Sequence, residues 1–311
     1  MKKIFIDGKA GTTGLRIEER LAERDDVEII SLPEELRKDP EARKKILNSA
    51  DIAFLCLPDV ASIEAVSMIE NPNVVVIDTS TAHRTNDDWA YGFAELGTEF
   101  EQKIKNSKRI AVPGCHASGF IALIHPLVKS GIISKDILLS AHSLTGYSGG
   151  GKKMIAEYED EKRDMLLDAP RQYGLTQKHK HLPEMKKITG IENEPIFCPI
   201  VSDFYSGMEV TIPLFKNQLN YGGIEEIKEI YRKAYTGPIV SYKEGSDESG
   251  FLSANKLSGY DSMEIEVLGN EDRIILVARY DNLGKGASGA AVECLNIVLG
   301  TDKTKTLAIK E

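Results

Sequence analysis

The stretch Ile4-Phe5-Ile6-Asp7-Gly8-Lys9-Ala10-Gly11-Thr12-Thr13-Gly14 joins a short apolar run to a glycine-rich turn. The apolar run predicts a β-strand over 3–6, and the spacing of the following residues predicts a helix over 14–22. Glycines between a strand and a helix let the backbone approach a pyrophosphate, whose charge then lies at the helix N-terminus. The spacing is G-x-x-G-x-x-G instead of the commoner G-x-G-x-x-G, so a turn without a ligand is the alternative. The position directly after the first strand favours a dinucleotide site.

Strands and helices alternate in the first part of the chain. The predicted strands are 3–6, 27–31, 52–57 and 74–78, and the predicted helices are 14–22, 40–48 and 61–70. Apolar residues at consecutive strand positions indicate strands that are buried on both faces. Together these features predict an α/β fold whose N-terminal domain is a doubly wound parallel sheet of the Rossmann type.

The end of the second predicted strand, Ile30-Ser31-Leu32-Pro33, helps to choose the cofactor. An NAD site usually has Asp or Glu there to bind the ribose 2′-hydroxyl. Here the hydroxyl of Ser31 is followed by Arg37 and Lys38, which suit the 2′-phosphate of NADP. Two intervening glutamates keep NAD as the alternative. The sequence therefore predicts NADPH as the cofactor.

The second half has longer alternating strands, predicted at 138–145, 208–215, 263–268 and 273–280, and a helix at 223–235. This pattern predicts an α+β domain with a mixed or antiparallel sheet, suited to a substrate pocket and to oligomer contacts. We therefore predict a dinucleotide-binding domain at 1–114, completed by a C-terminal helix at 285–311. The catalytic and substrate domain is predicted at 115–284.

One of the four cysteines differs from the others. Cys56, Cys198 and Cys294 lie inside apolar runs and are predicted to be structural, whereas Cys115 follows a Pro-Gly turn and begins an apolar run with helical spacing. The first turn of a helix favours the thiolate, which is the nucleophilic form of cysteine. Cys115 is therefore the predicted nucleophile, and a small buried core residue is the alternative. No spacing of the cysteines indicates a disulfide or zinc site.

Two histidines stand two residues apart in Gln177-Lys178-His179-Lys180-His181-Leu182-Pro183-Glu184. No third ligand stands at a recognisable spacing, so no metal is predicted. A neutral imidazole suits acid/base chemistry near pH 7, and a limb near the ordinary pKa of histidine is expected in the pH profile. Side chains at i and i+2 of an extended segment point to opposite sides, so one histidine is expected to face Cys115. Which one does so stays open, and a solvated basic loop is the alternative.

Two further segments are rich in glycine. The segment 146–153 is predicted to be a mobile loop with a basic end, serving either as a phosphate cradle or as a linker. The segment 281–289 is predicted to be a loop that leads into an apolar helix beginning at Ala290.

Composition and charge exclude several classes. The chain has 311 residues, of which 41% are hydrophobic and 28% charged, and a net charge of −9. The negative charge argues against general nucleic-acid binding. No apolar run has the length of a membrane span or the pattern of a signal peptide, so a cytoplasmic protein is expected.

The chain resembles the N-acetyl-gamma-glutamyl-phosphate reductases of arginine biosynthesis, specifically their shorter subgroup, over nearly its whole length. The segments that carry the resemblance are Val112-Pro113-Gly114-Cys115, His179-Lys180-His181-Leu182-Pro183-Glu184, Asp281-Asn282-Leu283-Gly284-Lys285-Gly286-Ala287-Ser288-Gly289, Asp78-Thr79-Ser80-Thr81-Ala82-His83-Arg84 and Tyr91-Gly92-Phe93-Ala94-Glu95-Leu96. Five motifs in the right order are more specific than any one of them. His116 departs from the pattern, since many members carry tyrosine there.

The resemblance implies that Cys115 attacks an acyl phosphate and forms a thioester, which NADPH reduces to an aldehyde. Backbone N–H groups at the start of the Cys115 helix would stabilise the tetrahedral oxyanion, and His179 or His181 would move the proton. The predicted cofactor contacts are Gly8, Gly11, Thr12, Thr13, Gly14, Ser31, Pro58, Lys285 and Gly286. The predicted substrate contacts are Arg84, Lys152 and Glu184. A homodimer or homotetramer is expected.

Three alternatives remain. A reductase of aminoadipyl phosphate is a close relative that sequence separates poorly from the acetylglutamyl enzyme. An aspartate-semialdehyde dehydrogenase would share the chemistry, but the His-x-His-x-Pro-Glu motif argues against it. A non-catalytic NADP-binding sensor predicts that Cys115 is no more reactive than Cys56.

Overall fold

The computed structural model describes residues 1–310, which divide into two compact units. The first unit comprises Met1–Ala94, Thr98–Gly114 and Ala287–Leu307, and the second comprises Glu95–Gly97, Cys115–Gly286 and the residues from Ala308 onward. None of the helices in this described part of the chain has both the length and the apolar character that crossing a membrane requires.

The first unit is built on a parallel sheet. Its strands are β1 (Lys2–Asp7), β2 (Val27–Ile30), β3 (Ile52–Leu55), β4 (Val75–Asp78), β5 (Ala90–Tyr91) and β6 (Arg109–Ala111). They lie in the order β2-β1-β3-β4-β6-β5, and every neighbouring pair is parallel. The helices of this unit are α1 (Thr12–Leu21), α2 (Pro40–Ser49), α3 (Asp59–Ser67), α4 (Thr98–Asn106) and α9 (Gly289–Leu299).

Helices cover both faces of this sheet. Ile4 packs in one buried cluster with Ile17 of α1 and Leu295 of α9, while the next residue, Phe5, packs in another with Leu47 of α2. Successive strand residues point to opposite faces, so both sides of β1 are apolar because both are covered. The predicted doubly wound sheet is confirmed.

A buried histidine fixes the segment that follows β4. Nδ1 of His83 lies 2.6 Å from Oδ2 of Asp78, and its ring stacks on Trp89 with centroids 4.0 Å apart. Asp78 also accepts hydrogen bonds from the N–H and the hydroxyl of Ser80. These bonds hold the 79–84 segment, which carries Arg84, against the end of the strand.

The second unit is built on a mixed sheet. Its helices are α5 (Cys115–Ser130), α6 (Gly151–Glu159), α7 (Leu182–Thr189) and α8 (Ile224–Ala234). Its strands are β7 (Ser140–Gly146), β8 (Arg171–Gln172), β9 (Ile196–Ser202), β10 (Met208–Phe215), β11 (Val240–Tyr242), β12 (Met263–Gly269) and β13 (Arg273–Tyr280). The order is β11-β12-β13-β10-β7-β9-β8, in which β7/β9 and β11/β12 are parallel and the other neighbours antiparallel. Of the two predicted forms, the mixed sheet is the one observed.

The two faces of this mixed sheet differ. Helices α5 and α8 pack on one face, and the residues of β10 that point to it, such as Val210 and Ile212, are fully buried. The opposite face, called the open face below, carries Phe215, Ile275 and Ile196, with exposed fractions of 61%, 38% and 63%.

Helix α5 continues through a proline. Pro126 has no N–H, so the carbonyl of Ala122 lacks its usual partner four residues later. The hydroxyl of Tyr235 donates to this carbonyl at 2.6 Å, and the hydroxyl of Tyr231 donates to the next one, on Leu123, at 2.5 Å. Two buried tyrosines of α8 and its C-terminal end therefore complete the hydrogen bonding of α5.

The prediction of a mobile loop at 146–153 is wrong. Strand β7 extends to Gly146, a 3₁₀ turn covers Tyr147–Gly150, and α6 begins at Gly151. Tyr147 stacks on Tyr158 with centroids 4.8 Å apart, and its N–H donates to the carbonyl of Phe204. At Gly146 a side chain would lie 2.6 Å from the carbonyl oxygen of Tyr205. The glycine is there for close packing, and tertiary contacts override the low helix propensity of the segment.

The predicted loop at 281–289 also has regular structure. A π-helical turn covers Gly284–Ser288 and runs directly into α9. The N–H groups of Gly284 and Gly286 both donate to the carbonyl of Asp281, and the N–H of Leu283 donates to its carboxylate. Aspartate at 281 thus nucleates a turn in a segment whose glycines suggested a loop.

Candidate active site

The three glycines of the first turn have different roles. Gly8 has a φ of +85°, and a Cβ there would lie 2.3 Å from the carbonyl oxygen of Cys56. A Cβ on Gly14 would lie 2.8 Å from the carbonyl oxygen of Gly8. A Cβ on Gly11 would meet only that same oxygen, at an ordinary 3.4 Å. Gly8 and Gly14 are therefore required by the fold, whereas Gly11 leaves space open in front of the turn.

Helix α1 begins at Thr12, two residues before the predicted start. Gly11 is the N-cap of α1 and offers no side-chain acceptor to the N–H groups of the first turn. That turn begins with Thr12 and Thr13. Those N–H groups and the open space at Gly11 form a cradle that fits a pyrophosphate.

A pocket of about 260 Å³ lies beside this turn in the first unit. Its walls include Gly8, Lys9, Ser31, Arg37 and Lys38. The structure therefore brings Ser31 and the two predicted cations to the pocket of the glycine turn, as a site for a 2′-phosphate requires. Pro58, another predicted cofactor contact, is exposed at the N-cap of α3.

Gly11→Val is expected to weaken NADPH binding by at least roughly tenfold while leaving the melting temperature unchanged. Gly11 has φ −77° and ψ 165°, an extended conformation that valine adopts easily. Its Cβ would make only the ordinary 3.4 Å contact with the carbonyl oxygen of Gly8, and the side chain would occupy the space in front of the turn. Isothermal titration with NADPH and thermal unfolding measure the two effects.

Gly8→Ala is the matched control. The positive φ of Gly8 and the close carbonyl oxygen of Cys56 mean that even a single methyl group there destabilises the folded protein. Unchanged NADPH affinity in Gly11→Val would mean that the pyrophosphate does not approach this turn.

Arg84 fixes the segment that leads to Cys115. Its guanidinium is buried, and it donates to the carbonyl oxygens of Val112 and Thr79, each at 2.8 Å. The N–H of Val112 donates in turn to the carbonyl of Asp78. The predicted role of Arg84 in substrate binding stays a prediction, and the structure adds a positioning role.

Cys115 is the first residue of α5, as its Pro-Gly turn and apolar run predicted. In the second unit Cys115 is half-buried and lies against the π-helical turn. A Cβ added to Gly286 of that turn would be 3.1 Å from the Cβ of Cys115. Lys285 of the same turn is buried, and its Nζ lies 2.7 Å from Oε2 of Glu95. The predicted contacts of Lys285 and Gly286 with the cofactor stay predictions.

A cluster of rings follows Cys115 in the second unit. The ring of His116 lies 5.6 Å from that of His179, 5.8 Å from His181, 5.3 Å from Phe197 and 6.0 Å from Tyr173. His179 and His181 are themselves 4.8 Å apart. The prediction that these two histidines point to opposite sides is wrong. The N–H of Leu182 donates to the carbonyl of His179, so the backbone turns into α7 and both rings lie on one side.

Two of the three imidazoles in the ring cluster, those of His116 and His179, are neutral near pH 7. Burial, with a smaller contribution from His179, lowers the pKa of His116 to about 3, and burial lowers the pKa of His179 to about 4. The N–H of His181 donates to Nδ1 of His179 at 3.2 Å, so the single proton of neutral His179 lies on Nε2. His179 is therefore a hydrogen-bond donor through Nε2.

Three residues of this site were not predicted from the sequence. Nδ1 of His116 lies 2.7 Å from Oγ of Ser143, and its Nε2 lies 2.6 Å from Oη of Tyr173. Burial and the charge of Cys115 raise the pKa of Tyr173, so its hydroxyl stays protonated near the nucleophile. The departure from tyrosine at position 116 was the one signal that could have drawn attention to His116.

The remaining predicted substrate residues lie in different environments. Glu184 is buried in the first turn of α7, where the helix dipole favours a carboxylate. Lys152 is exposed on α6. Their roles stay predictions.

Two of the other cysteines, Cys56 and Cys294, lie in environments that suit a structural role. Burial raises the pKa of Cys56 to about 12, so its thiolate is scarce at neutral pH. Cys294 is buried in α9, with its thiol 3.6 Å from the carbonyl oxygen of Gly92. These contacts support their predicted structural role.

Comparisons with known proteins agree with this geometry. The model of the semialdehyde dehydrogenase NAD-binding domain matches 16–106, and that of the semialdehyde dehydrogenase dimerisation domain matches 115–282. The N-acetyl-gamma-glutamyl-phosphate reductase of Brucella ovis is 46% identical over 96% of this chain and 99% of its own length. The fold is similar to that of aspartate semialdehyde dehydrogenase II from Vibrio cholerae, with a TM-score of 0.70, 16% identity and coverage of 96% of this chain and 98% of that one. The structure of aspartate semialdehyde dehydrogenase with NADP from Candida albicans gives a TM-score of 0.68 at 16% identity, covering 96% and 98%.

Proposed function

Since this chain belongs to the N-acetyl-gamma-glutamyl-phosphate reductase family, we propose that it reduces N-acetyl-γ-glutamyl phosphate with NADPH to N-acetylglutamate semialdehyde and phosphate. The observation that carries the proposal is the 46% identity to named reductases over 96% of the chain. Cys115 at the start of α5, beside a cluster of histidines, is the chemistry that such a reaction needs. The reaction is a step of arginine biosynthesis.

Cys115 is the nucleophile in this mechanism. Its thiolate attacks the acyl carbon, the C–O bond to phosphate breaks, and inorganic phosphate leaves with the electron pair. The acyl group is then held on Sγ as a thioester. The first N–H groups of α5, which an α-helix does not pair within itself, are the donors for the oxyanion of each tetrahedral state.

The hydride that brings the thioester carbon to the aldehyde level would come from NADPH. The residues that would hold the cofactor are the N-terminus of α1, the open side of Gly11 and the cations near Ser31. When the resulting tetrahedral state collapses, the C–S bond breaks and Cys115 leaves again as a thiolate.

The two histidines of the motif have different roles in this mechanism, one as a hydrogen-bond donor and the other in proton transfer. His179 carries its proton on Nε2 and has a lowered pKa, so it donates a hydrogen bond without giving the proton away. Proton exchange with the thiol of Cys115 then falls to His181, whose ring lies beside both His116 and His179.

Phosphate release with three acyl phosphates tests the substrate. The purified protein is incubated with NADPH and the N-acetylglutamyl, aminoadipyl or aspartyl phosphate, and phosphate and NADPH oxidation are followed together. We expect stoichiometric turnover with the acetylglutamyl compound. Preferred turnover of aminoadipyl phosphate would assign the chain to lysine biosynthesis, and no turnover with any of them would leave the non-catalytic sensor.

Ser31→Asp is expected to shift the cofactor preference from NADPH toward NADH. A carboxylate at this pocket repels a 2′-phosphate and accepts hydrogen bonds from a 2′-hydroxyl. We expect the ratio of kcat/KM for NADPH over NADH to fall by roughly tenfold or more. Ser67→Asp, on the last turn of α3 outside the lining of this pocket, is the charge-matched control. An unchanged ratio would show that Ser31 does not face the ribose.

We also propose that the protein is a homodimer or homotetramer whose contact uses the open face. This face exposes Phe215, Ile275 and Ile196, and the matched family domain over 115–282 is described as a dimerisation domain. Ile275→Asp would place a charge in the contact, and light scattering would then give the mass of a monomer. An unchanged oligomer would place the contact elsewhere. A cytoplasmic location is part of the same proposal, as for a biosynthetic enzyme.

A further inference from the structure

A third tyrosine hydroxyl contacts the backbone of α5 at its catalytic end. Tyr280, the last residue of β13, is fully buried, and its hydroxyl donates to the carbonyl of Cys115 at 2.5 Å. The same hydroxyl accepts the N–H of Gly119 at 3.0 Å. These are the carbonyl and the N–H that an α-helix pairs with each other, so Tyr280 spans the first turn of the helix of the nucleophile.

Glycine at 119 is required for this arrangement. A Cβ there would lie 2.8 Å from both Cε1 and Oη of Tyr280, and 2.7 Å from Cγ2 of Val210. The absence of a side chain at Gly119 thus leaves space on the face of α5 for the ring of Tyr280. Glycine inside a helix is otherwise unfavourable, so its presence here is explained by the close approach of these two side chains.

Tyr280 is itself rigidly held. The next residue, Asp281, is fully buried and accepts the N–H groups of Leu283 and Gly259, at 2.8 and 2.6 Å. Asn282 accepts the N–H of Gly207 at 2.9 Å and donates to Oγ of Ser148 at 3.0 Å. The hydroxyl therefore reaches Cys115 from a strand end that is firmly anchored.

We propose that Tyr280 is a positioning residue that orients the peptide between Cys115 and His116, and with it the His116 N–H as an oxyanion donor. The carbonyl of Cys115 and the N–H of His116 belong to one planar group, so fixing the oxygen fixes the direction of the N–H. A hydrogen bond accepted by the carbonyl also polarises the N–H, which makes it a stronger donor. The inference rests on the proposed thioester chemistry, in which that N–H stabilises the tetrahedral state.

Two reagents separate this role from a general structural one. Acylation of Cys115 by p-nitrophenyl acetate passes through a tetrahedral oxyanion, whereas alkylation by iodoacetamide does not. Tyr280→Phe removes only the hydroxyl. We expect it to slow acylation by roughly tenfold and leave the alkylation rate unchanged. With the natural substrate, kcat should fall similarly while the KM for NADPH stays constant.

Tyr235→Phe is the matched control, because it removes the same kind of bond from the Ala122 carbonyl of the same helix. It should lower the melting temperature and leave both rates at Cys115 unchanged. Both rates are read by mass spectrometry of the Cys115 peptide, with Cys115→Ser as the background.

Equal effects of the two tyrosine variants on acylation, or equal slowing of acylation and alkylation in Tyr280→Phe, would overturn the proposal. If Tyr280→Phe does not fold, fluorotyrosine at 280 keeps the hydroxyl and makes it a stronger donor. Acylation should then be faster relative to alkylation, and an unchanged ratio would contradict the role. Neither reagent needs the acyl phosphate or NADPH, so failure of the reductase assay is distinguishable from failure of this inference.

Discussion

Cys115→Ser is expected to lower reductase turnover by a factor on the order of 10⁴ or more, while NADPH binding stays unchanged. A serine hydroxyl is almost fully protonated at neutral pH, and it cannot replace a thiolate as nucleophile or leaving group. The proposed cofactor pocket lies in the first unit and includes no part of α5, so the affinity for NADPH should not change. Stopped-flow turnover and fluorescence titration with NADPH measure the two quantities. Appreciable turnover by the pure variant would contradict a covalent mechanism.

The other cysteines provide the internal control for this result. Iodoacetamide at neutral pH should modify Cys115 rapidly and block activity. Cys56 should react far more slowly, because burial raises its pKa to about 12. Equal reactivity at the two positions would favour the non-catalytic sensor.

Changing the motif histidines should give the second largest loss, roughly 10²–10⁴ in turnover for the residue that moves the proton. The assignment made above predicts different signatures for the two variants. His181→Asn should slow iodoacetamide alkylation of Cys115 as well as turnover, since it removes the base for the thiol. His179→Asn should slow turnover and leave alkylation unchanged, since it removes a hydrogen-bond donor.

The pH dependence separates the two histidines further. The expectation of a limb near the ordinary pKa of histidine does not hold for His179, whose pKa burial lowers to about 4. His179 stays neutral as the pH falls through the ordinary pKa of histidine, and its imidazole gains a second proton only below about pH 4. Any limb near the ordinary pKa of histidine in the wild-type profile must therefore come from a group other than His179, and it should persist in His179→Asn. Equal, mild losses in both variants with an unaltered profile would mean that solvent supplies the proton.

The parallel sheet was predictable because its strands carry their information locally. Val75, Val76 and Ile77 are consecutive apolar residues of β4, and all three are buried although neighbouring side chains point to opposite faces. A run of this kind can be recognised without knowing what packs against it. The start of α5 at Cys115 was predictable for a similar reason, since the Pro-Gly turn before it stands directly in the sequence.

The tertiary roles of single residues were not predictable. Gly146 and Gly119 are glycines because a carbonyl of Tyr205 and the ring of Tyr280 approach them from distant parts of the chain. No local pattern distinguishes such a glycine from one in a flexible loop, which is why the 146–153 segment was misassigned. Likewise, i, i+2 alternation holds only for extended backbone, and the turn that precedes α7 brings the two motif histidines together.

The location of Trp89, the residue on which His83 stacks, has a spectroscopic consequence. Trp89 is the single tryptophan of the chain, and it lies in the first unit, whereas every tyrosine except Tyr91 lies in the second. Tryptophan emission therefore reports on one unit, and near-ultraviolet tyrosine signals report mainly on the other. Denaturant titrations followed by these two signals would show coincident transitions if the two units unfold in one cooperative step. They would show separate transitions if each unit unfolds independently.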